Sequence, residues 1–156
     1  MNNDRLRQPI KADYTQALGT AAFIFAICEW NAVYCAERIN PGALELFIKD
    51  ELSAGKIAKK LLDLTRSMPK SKEREELIAA AKSFAENVRL RNNILHGKPC
   101  TGPNGEARLS CNGVIEISDL EQAADTFSTC SIEFNRLLHG FLSTYAPVLL
   151  QPKNQS

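Results

Sequence analysis

Residues 13–38 read DYTQALGTAAFIFAICEWNAVYCAER, and no other stretch of the chain narrows its fold so much. Alanine, phenylalanine, isoleucine and tyrosine dominate it, while polar residues are few and irregularly placed. A helix that is apolar on most of its circumference belongs at the centre of a domain, with other elements packed around it. Its most apolar run, residues 21–28, stops at Glu29 and is too short to span a bilayer, so a core helix is expected. Asn40-Pro41-Gly42 closes the segment, because proline restricts the residue before it and glycine accepts turn geometry.

The rest of the chain has to cover that helix. Residues 43–66 place Leu44, Phe47, Ile48, Leu52, Ile57, Leu61, Leu62 and Leu64 near helical spacing with lysines between them, although Gly55 weakens the pattern. After the break Met68-Pro69-Lys70-Ser71, a third helix opens at Ser71 without capping-box spacing and runs to His96. Leu77, Ala81, Phe84, Val88 and Leu95 form its apolar stripe, and Gly97 and Pro99 stop it. Residues 100–117 read as an inserted loop or hairpin, with short strands at 107–110 and 114–117. Ser118 and Glu121 have capping-box spacing and open a last helix reaching about residue 145, before Pro147 and a tail at 151–156. The expectation is all-α: a four- or five-helix up-and-down bundle in a single domain over residues 1–150, with a small loop or β-hairpin excursion between the last two long helices.

Length and composition agree with one folded domain: 156 residues, 44% hydrophobic and 24% charged. Nineteen Lys and Arg against eighteen Asp and Glu give a net charge of +1, so an acidic partner must be met by a local patch, and a DNA-coating protein is disfavoured. Cysteines 28, 35, 100, 111 and 130 contain no C-x-x-C pair and are expected as reduced thiols, with Cys100 and Cys111 able to approach across the loop. The two histidines give no zinc spacing, and no phosphate-binding glycine loop is present, so neither metal nor cofactor is expected. A polar N-terminus without a signal-peptide pattern favours the cytosol and no membrane.

The chemistry concentrates at the end of the third helix, Arg89-Leu90-Arg91-Asn92-Asn93-Ile94-Leu95-His96-Gly97-Lys98-Pro99. At about 100° per residue Arg91 falls within the stripe of Leu77, Phe84, Val88 and Leu95, where an apolar side chain would be expected. A guanidinium there needs a partner or an opening to water. Asn92 and His96 lie one turn apart on one side, whereas Arg91 stands roughly 140° from His96, too far to share a narrow surface on one regular helix. Histidine is the usual proton-transfer residue near neutral pH, and guanidinium offers a fork of donors to phosphate oxygens. Arg89 and Lys98 extend a positive edge, within a local excess of three basic residues over residues 81–100. Glu29 is a second misfit, surrounded on its helical side by Phe25, Ala26, Val33 and Ala36. It is a supporting candidate that would pair with Arg91 or orient the site, against an unrelated pair with Arg38 or Arg66. Arg136 and His139 are weaker candidates for polar groups near the site.

Arg91-Asn92-Asn93-Ile94-Leu95-His96 resembles the catalytic motif of the HEPN superfamily: arginine, a polar residue, three variable residues and histidine near a helix end. The four-helix reading is similar to that family's bundle. The resemblance implies a metal-independent endoribonuclease in which two copies of the motif face each other across a dimer cleft, which would also close the angular gap. Arg91, Asn92 and His96 would then be catalytic, His96 as acid–base residue and Arg91 on the scissile phosphate, with 2′-hydroxyl attack giving a 2′,3′-cyclic phosphate and a 5′-hydroxyl. It also implies RNA as substrate, a cytoplasmic toxin or phage-defence role, and a cognate antitoxin or regulatory protein as partner. The alternative is a non-catalytic HEPN-like module that binds a nucleotide or a protein.

Overall fold

The computed structural model describes residues 10–147. The central helix, α1 (Ala12–Ile39), covers the apolar segment to within a residue at each end. Its buried side carries Tyr14, Ala21, Phe25, Cys28, Ala32, Cys35 and Ala36, recurring at the three- and four-residue steps of one helical face. Gly42 then takes φ +95, a left-handed turn open to glycine without penalty. The Glu37 carboxylate accepts from the Gly42 and Leu44 N–H groups, satisfying free donors at the start of the next helix.

That next segment is not one helix. It divides into α2 (Ala43–Lys49) and α3 (Ala54–Ser67), because Glu51 adopts φ +47 between them. Leu52 N–H donates to Phe47 O at 3.1 Å and Glu51 N–H to Ile48 O at 3.1 Å, the paired bonds of a Schellman cap built on a glutamate in place of the usual glycine. Ser71 caps α4 (Lys72–Leu95), its side chain accepting from Arg74 N–H. Leu77, Ala81, Phe84 and Val88 are buried as the stripe requires, but Leu95 is 45% exposed and Ile94 is buried in its stead.

The excursion is a three-stranded antiparallel sheet, β1 (Lys98–Thr101), β2 (Ala107–Ser110) and β3 (Val114–Ile115), larger than the expected hairpin and starting directly after α4. Pro99 is tolerated because β1 is an edge strand. Gly97 matters for space: a Cβ there would stand 3.1 Å from Leu109 Cβ, where β2 lies against the helix end. Cys100 is paired in register with Arg108, not Cys111, and all five cysteines are free thiols. Tyr14 ties the sheet to α1, its hydroxyl donating to Ile115 O and accepting from Leu109 N–H, each at 3.0 Å. Arg108 lies 4.7 Å from the Tyr14 ring centroid and pairs with Glu106 and Glu116.

The last helix, α5 (Ile117–His139), begins earlier than expected. Glu116 is its cap and Asp119 completes the box, displacing Ser118 and Glu121 from that role. It also ends earlier, at His139, since Gly140 turns the chain into a short 3-10 helix at Phe141–Ser143 and a Cβ on Gly140 would meet Arg136 O at 2.8 Å. Tyr14–Ile115, Asn31–Ser131 and Cys35–Phe134 are separated by 101, 100 and 99 residues, so α5 follows the direction of α1. Cys130–Ala80 and Arg136–Glu76 show α4 running opposite to α5. Phe25 sits where these three helices meet, stacked on Phe84 and edge-to-face with Phe127. The architecture is therefore all-α, five helices with a small sheet inserted between the last two. The expected tail at 151–156 lies outside the described residues.

Candidate active site

The C-terminal turn of α4 lies beside the first half of α1. Arg91 is half-buried there, its guanidinium 5.2 Å from the Phe25 ring centroid. Nη1 donates to Asn92 Oδ1 at 2.9 Å. No carboxylate lies within ion-pair distance of Arg91 among the described residues. A ring face offsets part of a cation's desolvation, and the neutral amide leaves its charge intact. Arg91 also lines a small hollow with Ala22, Ile94, Leu95 and Phe127.

Glu29 is close enough for its field to be felt. Burial pushes its carboxyl above the ordinary range, and the Arg91 charge partly opposes that rise. The two make no ion pair within 4.0 Å, and neither Arg38 nor Arg66 pairs with Glu29. Glu29 also borders a second cleft with Trp30, Phe47 and Glu51.

His96 is the residue after the last helical turn, held by its own N–H to Asn92 O at 2.9 Å. Its ring is exposed and has no hydrogen-bond partner among the described residues. Asn92 thus turns its side-chain oxygen to Arg91, and only its backbone carbonyl to His96. One chain brings Arg91, Asn92 and Phe25 together, and the His96 side chain makes no hydrogen bond to any of them.

The outer basic residues divide. Arg89 is exposed and donates to both oxygens of Glu86, at 3.1 and 3.2 Å. Lys98 is exposed at the start of β1. Arg136 is drawn to Glu76, on the first turns of α4, and to Glu133, at 2.6 Å each, and His139 lies one turn beyond it. Fifteen residues of α4 separate Glu76 from Arg91, roughly 22 Å of helix, so Arg136 and His139 belong to the far end of the bundle and not to this site.

Two further features of the surface depend on how the helices pack. One is a cleft of about 350 Å³ on the other side of α4, lined by Leu90, Asn93, Asn112, Val114, Asp119 and Gln122 among others. Its walls come from three separate elements, so no local pattern announces it. The other is α1's outer face, where Gly19, Thr20, Phe23, Ala26, Ile27, Trp30 and Tyr34 are exposed without a single charge.

No family model, curated protein or solved structure matches this chain.

α1 is long and apolar throughout, with much of its apolar surface outside the core. Composition alone would let such a helix cross a membrane. Here it is the helix on which α3, α4 and α5 pack, with its outer face left uncovered. Among the described residues no group of three or more His, Cys, Asp or Glu side chains is arranged to hold a metal ion.

Proposed function

We propose that this chain is a metal-independent endoribonuclease whose site is shared between two copies, with Arg91 of one facing His96 of the other. Arg91 carries the reading: a half-buried guanidinium with no carboxylate partner among the described residues, whose hydrogen bond goes to a neutral amide. Structural arginines in such positions are normally neutralised, as Arg108 and Arg74 are here. An anionic ligand supplies the missing partner, and a phosphodiester fits the planar fork.

In the reaction, His96 takes the proton of the ribose 2′-hydroxyl or gives one to the leaving 5′-oxygen. Attack of the 2′-oxygen on phosphorus forms a 2′,3′-cyclic phosphate as the bond to the 5′-oxygen breaks. Arg91 offsets the charge that develops on the phosphoryl oxygens. Asn92 fixes the guanidinium through its 2.9 Å hydrogen bond, and so acts as a positioning residue. Lys98 extends the positive edge, and Arg89, already held by Glu86, adds less. The cleft beside Asn93 presents amide groups that suit the edge of an unpaired base, in line with recognition of single-stranded or loop RNA.

A second copy is the partner that the outer face of α1 suits. A two-fold contact sets each residue against its own kind or a neighbour, and an uncharged face escapes like-charge repulsion. An antiparallel pairing of α1 would set Phe23 against Tyr34 and Ile27 against Trp30, with Gly19 and Ala26 allowing close approach. The test is cleavage of varied RNAs in EDTA by wild type, His96→Ala and Arg91→Ala. Cleavage by wild type alone supports the reading. Folded, dimeric wild type that cleaves none of them supports the non-catalytic binding module instead.

A further inference from the structure

One turn beyond the Phe25–Phe127 contact, on two helices that run in the same direction, stand Cys28 and Cys130. Both side chains lie in the core, Cys28 wholly and Cys130 almost so. The two thiols are near enough to act on one another's titration, and Cys130 Sγ donates to Ala80 O at 3.8 Å. Asn87 comes in from α4 beside both sulfurs. It is only 2% exposed, and its Nδ2 has no acceptor. A buried amide donor without a partner is expensive, and a functional role is one common reason for keeping one.

The two thiols differ in access. Cys130 forms part of an open cleft of about 280 Å³ between α4 and α5, with Glu76, Ser83, Thr129 and Glu133 around it. Cys28 lies behind it.

We propose that Cys130 and Cys28 are an oxidisable pair: a small hydroperoxide entering the α4–α5 cleft oxidises Cys130, and Cys28 then closes a disulfide between α1 and α5. In the first step Cys130 Sγ, as thiolate, attacks the near peroxide oxygen and the O–O bond breaks. Cys130 becomes a sulfenic acid and the far oxygen leaves as water or an alcohol after taking a proton. In the second step Cys28 sulfur attacks Cys130 sulfur, the S–O bond breaks, and the Cys28 proton leaves with the oxygen as water. Two thiols lose two electrons and the peroxide gains them. Asn87 Nδ2 gains its missing acceptor in the thiolate, and again in the sulfenic oxygen.

The directions of the thiol pKa values agree with that order. The neighbouring Cys130 sulfur, then burial, holds Cys28 as a neutral thiol, while the neighbouring Cys28 thiol favours the Cys130 thiolate against burial. Cys35 is excluded from the pair: burial pushes its thiol up to about 12, and it donates to Phe134 O.

The experiment treats the reduced full chain with a few equivalents of hydrogen peroxide, unfolds it in an alkylating reagent and maps the peptides. The expected product is a Cys28–Cys130 crosslinked peptide, two hydrogens lighter than its parts, with Cys35 alkylated. Cys28→Ala should leave a Cys130 sulfenic acid that reacts with dimedone, and Cys130→Ala should abolish both products. Complete alkylation of Cys28 and Cys130 after peroxide treatment, or a disulfide mapping only to Cys100 and Cys111, overturns the proposal. The wild-type map decides the matter even where a variant fails to fold, and it does not depend on any RNA cleavage.

Discussion

The guanidinium of Arg91 rests 5.2 Å from the centroid of the Phe25 ring and reaches no carboxylate among the described residues. A core-facing arginine held this way contributes little to stability by its charge: the ring contact is worth roughly 0.5–2 kcal/mol, and desolvation opposes it. Arg91→Met should therefore keep the fold, with unfolding free energy within about 1 kcal/mol of wild type, while removing RNA cleavage. Chemical denaturation and a cleavage assay on one preparation check both halves. Arg91→Lys keeps a charge but loses the fork, and its cleavage should fall at least about tenfold.

Glu29 makes an opposite claim about stability. Burial raises its carboxyl, so the folded chain holds that proton more tightly than the unfolded chain does. The charged form is thus penalised, and stability is lost as pH rises from the ordinary glutamate range through the raised folded value. Glu29→Gln should be more stable than wild type at pH 7, with the difference shrinking as pH falls through that window. Thermal unfolding at several pH values reads it directly, and a difference that grows toward low pH would refute the assignment.

Tyr14 is the hinge between sheet and bundle. Tyr14→Phe leaves Ile115 O without its donor and Leu109 N–H without its acceptor, at an expected cost of about 1–3 kcal/mol. Hydrogen exchange should speed up first in β2 and β3, with the centre of α5 little affected. Uniform acceleration across the chain would mean that the tyrosine supports the whole core.

These residues also mark how far the fold is legible in the sequence. The central helix is legible because its apolar content persists through every turn, and Arg91 is legible as a cation among leucine-type positions. The division at Glu51 is not, because a Schellman cap rests on backbone bonds and left-handed φ, for which glutamate gives no signal. The cap of α5 lies two residues before the expected one, since Ser118 and Glu121 match a capping box as well as Glu116 and Asp119 do, and only Arg108 on β2 draws Glu116 into place. Arg136 looks local to the motif because the sequence does not say which end of α5 meets which end of α4. Asn87, buried beside the two thiols, is in sequence terms one polar residue among many on a helix.

The outer face of α1 sets the oligomeric prediction. Ile27→Glu and Trp30→Glu put like charges near the two-fold axis and should weaken self-association by about a hundredfold or more. Sedimentation velocity should show monomers with an unchanged helical circular-dichroism spectrum, and RNA cleavage should fall with the dimer. Monomers that cleave as fast as wild type would assign the site to a single chain.

The most direct measurement pairs two defective subunits. Arg91→Ala and His96→Ala are co-expressed with different tags and the mixed dimer is isolated by both. If Arg91 of one copy serves His96 of the other, one of its two sites is complete, and cleavage should recover to about half the wild-type rate while each parent dimer stays inactive. A mixed dimer as inactive as its parents, beside active wild type, would contradict a shared site built from Arg91 and His96.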